Sequence, residues 1–135
     1  MTKVDVAKTW SLNYRLLMSV ITSVAADVSA LGIDPKELFL LAAVDEHPHP
    51  AELAMDLCMP KPTVTAMVKR LEADGFLNRE IDPTDLRRHR LSLTATGRKA
   101  TARGLAILSS AFGERLSRLD AAEQAELHAL LEKMS

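Results

Sequence analysis

A single cysteine, Cys58, excludes an internal disulfide in this 135-residue chain. A fold that dispenses with disulfides fits a reducing cytoplasm. No apolar run approaches the roughly 20 residues needed to span a bilayer. The opening Met1-Thr2-Lys3-Val4-Asp5 lacks the charged-then-apolar pattern of a signal peptide. A cytoplasmic protein without a membrane segment is the expectation. Internal repeats and low-complexity stretches are missing too. So are a nucleophile elbow, a phosphate loop, a His-Glu-x-x-His helix and a paired-carboxylate motif, the usual marks of an enzyme. No pattern calls for a cofactor or a resident metal.

What is present is an ordinary globular composition, 47% apolar, in a length that suits one core. Residues 1–135 are therefore read as a single domain. The net charge of −1 hides a division. Between Lys61 and Arg103 there are ten basic and five acidic residues, a net of +5, which leaves −6 for the rest of the chain. A basic module on an acidic scaffold is what a DNA-facing region should show, although a solvated basic helix face gives the same count.

The segment from Ala51 to Gly97 carries the clearest punctuation. A short helix (51–57) and a tight break precede a second helix (61–74). Gly75, an extended run (76–81), the turn Asp82-Pro83-Thr84-Asp85-Leu86-Arg87-Arg88 and a second extended run (89–93) follow. That order is a helix-turn-helix followed by a β-hairpin.

Upstream, Trp10, Tyr14, Leu17, Ile21, Val24, Val28 and Leu31 alternate at intervals of four and three, a heptad seam on a long helix that Gly32 can terminate. Asp34, Pro35 and Glu37 open another helix with a capping box. Downstream, Thr94 can cap a helix that buries Leu105, Leu108, Phe112, Leu116 and Leu119, with Gly104 and Gly113 weakening it by about 1 kcal/mol each. Asp120 and Glu123 form a second capping box before Leu127, Leu130, Leu131 and Met134. The expected fold is mainly α with a small β-hairpin wing. Residues 34–93 form the winged helix-turn-helix, flanked by dimerisation helices at 4–31 and 95–134. A chain this short cannot easily bury both terminal stripes alone, so they either pack on each other or join two copies in a homodimer, whose twofold symmetry suits paired half-sites.

In the second helix of the pair, Val64, Met67, Val68 and Leu71 share the core face. The other face presents Lys61, Pro62, Thr63, Thr65, Ala66, Lys69 and Arg70. Pro62 stiffens the first turn. Thr63 and Thr65 can reach a phosphate, a base edge or a thymine methyl, and Thr63 can alternatively cap the helix. Lys61 and Lys69 suit phosphates, and Arg70 suits a phosphate or an internal acidic partner. The hairpin brings Arg87, Arg88 and Arg90 close together, with Asp85 placed to hold Arg87 extended. A guanidinium there can enter a minor groove, or the arginines can simply solubilise an edge strand.

On these residues the chain resembles the MarR family of winged helix-turn-helix transcriptional regulators. The pieces are Ala51-Glu52-Leu53-Ala54, then Lys61-Pro62-Thr63-Val64-Thr65 through Arg70-Leu71-Glu72 to Asp74-Gly75-Phe76-Leu77, then Asp82-Pro83-Thr84-Asp85-Leu86-Arg87 running into Leu93-Thr94-Ala95-Thr96-Gly97. The resemblance implies a homodimer on double-stranded DNA at a pseudopalindromic operator. The recognition helix (61–74) would lie in the major groove, and the wing (82–90), with Asp85 and Arg87, in the minor groove. Members mostly repress, and many release DNA on binding a small-molecule effector or on cysteine oxidation. Ala66 and Leu86 depart from the pattern, since members often carry arginine at both places. Pro60, Pro62 and Cys58 depart as well.

Three further features invite a sensing role. Cys58 lacks a second cysteine and a clear nearby cation, and reads best as a small turn residue. Asp45, Glu46, His47 and His49, with His89 near in space, match no defined zinc spacing. Trp10, Tyr14 and Arg15 could line a pocket for an aromatic anion, although packing is the commoner use of such aromatics. The alternative to a DNA-binding regulator is a winged-helix module that binds protein; a steep loss of DNA binding with salt separates the two.

Overall fold

Capping chemistry fixes most of the helix boundaries. The computed structural model describes residues 3–135. Helix α1 (Val6–Ser29) starts where the Asp5 side chain accepts from the Lys8 amide at 3.1 Å. The chain turns at Gly32, whose φ of 87° lies in the left-handed region that favours glycine. Helix α2 (Pro35–Ala43) then opens with the expected capping box. The Glu37 amide donates to Asp34 Oδ1 at 2.8 Å, and the Asp34 amide donates to Glu37 Oε1 at 2.9 Å.

Helix α3 (Pro50–Asp56) starts one residue before the expected Ala51, because Pro50 occupies the first helical position with His49 before it. The turn into α4 (Lys61–Ala73) passes through Cys58 at φ 53°, a left-handed conformation unusual for a side-chain-bearing residue. Gly75 (φ 83°) ends that unit. Strands β1 (Leu77–Asp82) and β2 (Asp85–Leu93) form a two-stranded antiparallel hairpin. β2 begins four residues earlier than the expected His89, because Pro83-Thr84 alone makes the turn. The Leu91 amide donates to the Pro48 carbonyl at 2.7 Å, tying the loop before α3 to the hairpin.

Helix α5 (Ala95–Leu116) is capped by Thr94, which accepts from the Gly97 amide at 2.9 Å. α6 (Ala121–Met134) carries the second capping box, Asp120 with Glu123. Among the described residues, no helix is long and apolar enough to cross a membrane.

The core sits where α2 is enclosed by its neighbours: Leu38, Leu40, Leu41, Val44, Leu53, Val64, Leu71, Leu77 and Leu91 are buried. Two expectations change here. Of the α1 seam only Val24 and Val28 are buried, together with Val20 beside it, while Trp10, Tyr14 and Leu17 are exposed. On α5 the buried face is not the leucine stripe but Gly97, Ala100, Thr101 and Gly104, with Leu105 exposed and Leu108 and Phe112 half-buried. The reason is close approach. A Cβ on Gly104 would stand 2.5 Å from Leu38 Cδ1, so small residues let α5 lie against α2. Gly104 is a packing requirement, not merely a weak helix former. None of Leu127, Leu130, Leu131 and Met134 on α6 is buried within one chain.

Candidate nucleic-acid interface

Helix α4 divides as its periodicity predicts. Val64, Val68 and Leu71 are buried in the core, and Lys61, Pro62, Thr63, Thr65, Ala66 and Lys69 all face solvent. Pro60 rather than Thr63 is the residue before the first turn, and no side chain caps this helix. Thr63 is therefore free of the capping role, and its amide and that of Val64 both donate to the Pro60 carbonyl, at 3.0 and 3.2 Å. Thr65 Oγ1 donates to the Lys61 carbonyl at 3.0 Å, which leaves its methyl as the outward chemistry.

Arg70 differs from its neighbours. Although its edge reaches solvent, its guanidinium is directed inward: Nη2 donates to Glu37 Oε1 at 2.6 Å and to the Gly32 carbonyl at 3.1 Å, and Nη1 pairs with Asp74. Glu37 is buried, so this is the internal acidic partner and not a phosphate contact. The hydrogen bond to Glu37, aided by its charge and that of Asp74, holds the Arg70 pKa above the ordinary value. Arg70 thus leaves the set of DNA-facing candidates and becomes a strut between the α1–α2 corner and α4.

The wing is built on Asp82. Its Oδ1 accepts from the Thr84 amide (2.8 Å) and hydroxyl (2.7 Å), closing the tight turn, and its Oδ2 lies 3.2 Å from His49 Nε2 and 3.6 Å from Arg88. The Thr84 hydrogen bonds, helped by the charges of His49 and Arg88, lower the Asp82 pKa to about 2. His49 Nδ1 lies 3.0 Å from the His89 carbonyl oxygen, so both ring nitrogens face oxygen acceptors. This cluster ties α3 to the hairpin. The Asp-Pro-Thr turn spacing is its only sequence signal, since the His49–Asp82 contact spans 33 positions.

Beyond Asp82 the strand register jumps. Ile81 pairs with His89 and Asp82 with Asp85, so Leu86, Arg87 and Arg88 form a bulge with no Cα partner on β1. Arg88 folds back toward Asp82, while the Arg87 side chain is 95% exposed. Asp85 Oδ1 accepts from the Arg87 amide at 3.0 Å and lies 3.8 Å from Arg87 Nε. Asp85 therefore fixes the Arg87 backbone more than its guanidinium. Arg90 is exposed. The cations gathered on one module are thus Lys61 and Lys69 on α4, and Arg87, Arg88 and Arg90 on the wing.

The remaining candidates separate. His47 faces Glu52 (3.7 Å) and Asp56 (3.4 Å), whereas His49 faces the wing, and among the described residues no three potential ligands converge as a metal site. The exposed Cys58 directs Sγ at the Met55 carbonyl, 3.8 Å away. Trp10 and Tyr14 touch each other on exposed α1, their ring centroids 6.4 Å apart. A cavity of about 340 Å³, lined almost wholly by apolar side chains including Leu17, Phe39, Phe112 and Leu131, opens between α1, α2, α5 and α6.

Comparison with known proteins accords with this geometry. The MarR family profile matches residues 33–89. The HTH-type transcriptional repressor Rv2887 of Mycobacterium tuberculosis is 30% identical over 125 residues, 91% of this chain and 90% of that protein. The chain belongs to the MarR family. It is a transcriptional regulator of the winged helix-turn-helix type. The transcriptional regulator HosA of Escherichia coli O111:H- is 40% identical over 74 residues, about half the length of each protein. Rv2887 in complex with salicylic acid superposes with a TM-score of 0.75 at 27% identity over 98% of both chains. The Staphylococcus aureus MepR–DNA complex, at 19% identity, shares the fold with a TM-score of 0.79 over 98% of this chain and 97% of that one.

Proposed function

We propose that this MarR-family regulator is a cytoplasmic homodimeric repressor of a pseudopalindromic operator. Residues 34–93 engage DNA, and residues 4–31 and 95–134 join the two copies. Lys61, Pro62, Thr63, Thr65 and Lys69 enter the major groove, and Asp85 positions the wing so that Arg87, with Arg88 and Arg90, reaches the adjacent minor groove. The observation that carries the reading is the two-sidedness of α4, with every non-core residue from Lys61 to Lys69 except half-buried Met67 exposed beside a wing that carries Arg87 and Arg90 exposed and Arg88 turned toward Asp82. The exposed apolar faces of α1 and α6 supply the dimer surface. By analogy with the relative that binds salicylic acid, a small-molecule effector is expected to release the DNA.

Selection of duplexes from random-sequence DNA, followed by titration at several salt concentrations, tests this. Binding through several phosphates should weaken steeply as salt rises. The competing reading, a protein-interaction module, would be favoured by a complete absence of enrichment and of any salt slope.

A further inference from the structure

We propose that Leu86 is an apolar minor-groove contact working beside Arg87, so that the wing senses the shape and flexibility of DNA as well as its charge. The inference rests on the DNA-binding function proposed above. It starts from the bulge: Leu86, Arg87 and Arg88 project from the hairpin without partners on β1. Arg88 is drawn back by Asp82, which leaves Leu86, 79% exposed, and Arg87 as the two side chains presented. The segment is restrained by the Asp82–Thr84 turn before it and by the hydrogen bond from the Arg87 amide to Asp85. An exposed leucine is thus delivered on an ordered support rather than left on a loose loop.

Its surroundings decide the occupant. Arg87, Arg88 and Arg90 follow the leucine within four positions on the same strand, so an apolar protein partner would have to bury cations to reach it, while a polyanion would welcome them. The minor groove offers both chemistries: phosphates along its edges, and sugar C–H walls onto which an aliphatic side chain can pack. Leucine has no hydrogen-bonding atom and cannot distinguish bases directly. Its discrimination is indirect, favouring steps that open easily, such as TA and CA, within a narrow A·T-rich groove that attracts Arg87.

The test uses the full chain and a duplex that it selects from random-sequence DNA. Affinity is measured across a salt series for wild type, Leu86→Ala, Leu86→Asn, Leu86→Met and Arg87→Ala, with thermal melting to confirm folding. Leu86→Ala and Leu86→Asn should each weaken binding about tenfold with the salt slope unchanged, and Leu86→Met should stay within about twofold of wild type. Arg87→Ala should instead lower the slope by about one for each wing. Wild-type affinity in Leu86→Ala, or a loss accompanied by a shallower slope, overturns the proposal. If Arg87→Ala weakens binding while Leu86→Ala does not, only the leucine contact falls. If wild type selects no duplex, the DNA-binding function falls with it.

Discussion

Arg70 of the recognition helix donates to Glu37 of α2 at 2.6 Å, and the same Glu37 oxygen accepts the Asp34 amide at 2.9 Å. One buried carboxylate therefore caps α2 and fastens α4 to the corner that follows α1. Removing the cation strands a carboxylate that is only 2% exposed. Because Arg70 itself is half-exposed, the cost should fall below that of a fully buried pair, at about 1–3 kcal/mol for Arg70→Ala. Urea denaturation reads it directly. If Arg70→Ala unfolds at the wild-type midpoint, the strut contributes nothing.

Glycine at position 97 rests on a different contact. A Cβ there would lie 1.9 Å from the Phe76 carbonyl oxygen, which also accepts the Thr94 amide at 3.1 Å. Backbone cannot swing aside as a side chain can, so Gly97→Ala should cost about 3 kcal/mol. Gly104→Ala meets only the end of Leu38, and a gain in helix propensity of about 1 kcal/mol partly offsets that clash. The predicted order of melting temperatures is wild type, then Gly104→Ala, then Gly97→Ala. Reversal of the two variants would contradict the packing account.

How legible this architecture is depends on the range of the contact. Both capping boxes, the left-handed Gly32 and the two faces of α4 are local, set by residues within four positions of one another, and they stand in the sequence. The Arg70–Glu37 pair spans 33 positions and is invisible to periodicity. Periodicity also marks an apolar stripe without naming its partner. On α5 the leucines draw the eye, but the face packed within the chain is Gly97, Ala100, Thr101 and Gly104, since only small residues permit such close approach. The wing bulge escapes for a similar reason: turn chemistry predicts where the hairpin reverses, not the three residues by which its strands fall out of register.

The buried Asp82 gives a pH prediction. Its folded-state pKa of about 2 lies below the ordinary 3.8, so it favours folding when ionised. That contribution is fully present above pH 3.8, shrinks below it and is gone once pH falls past about 2. Asp82→Asn keeps an oxygen for Thr84 but loses the charge facing His49 and Arg88. The stability difference between wild type and Asp82→Asn should shrink as pH falls from about 4 to about 2. A difference that stays flat to pH 2 would show that the carboxylate is not what anchors the wing.

Arg87 is 95% exposed and pairs only loosely with Asp85, at 3.8 Å. Nothing in the folded chain depends on its guanidinium, so Arg87→Ala should leave the melting temperature and the oligomeric state unchanged. It should weaken binding to a selected duplex by about 1–3 kcal/mol. Unaltered affinity in a folded variant would remove the wing from DNA recognition.

Leu17 stands in the middle of the α1 seam and is 53% exposed, with Trp10 at 64% and Tyr14 at 51% along the same helix. Water is a poor neighbour for this stripe, and a second copy of the chain is the proposed cover. Leu17→Glu places a charge within that contact, where desolvation without a partner is costly. Sedimentation should show a monomer where wild type is a dimer. The consequence for DNA follows from linkage of the two half-sites: one protomer loses the effective concentration supplied by the other, so affinity for a two-half-site duplex should fall by about two orders of magnitude or more. Affinity for a single half-site should be unchanged, because Leu17 lies on α1 and takes no part in the helix-turn-helix or the wing. A variant that remains dimeric would place the interface elsewhere, and one that turned monomeric with full two-site affinity would detach dimerisation from operator binding.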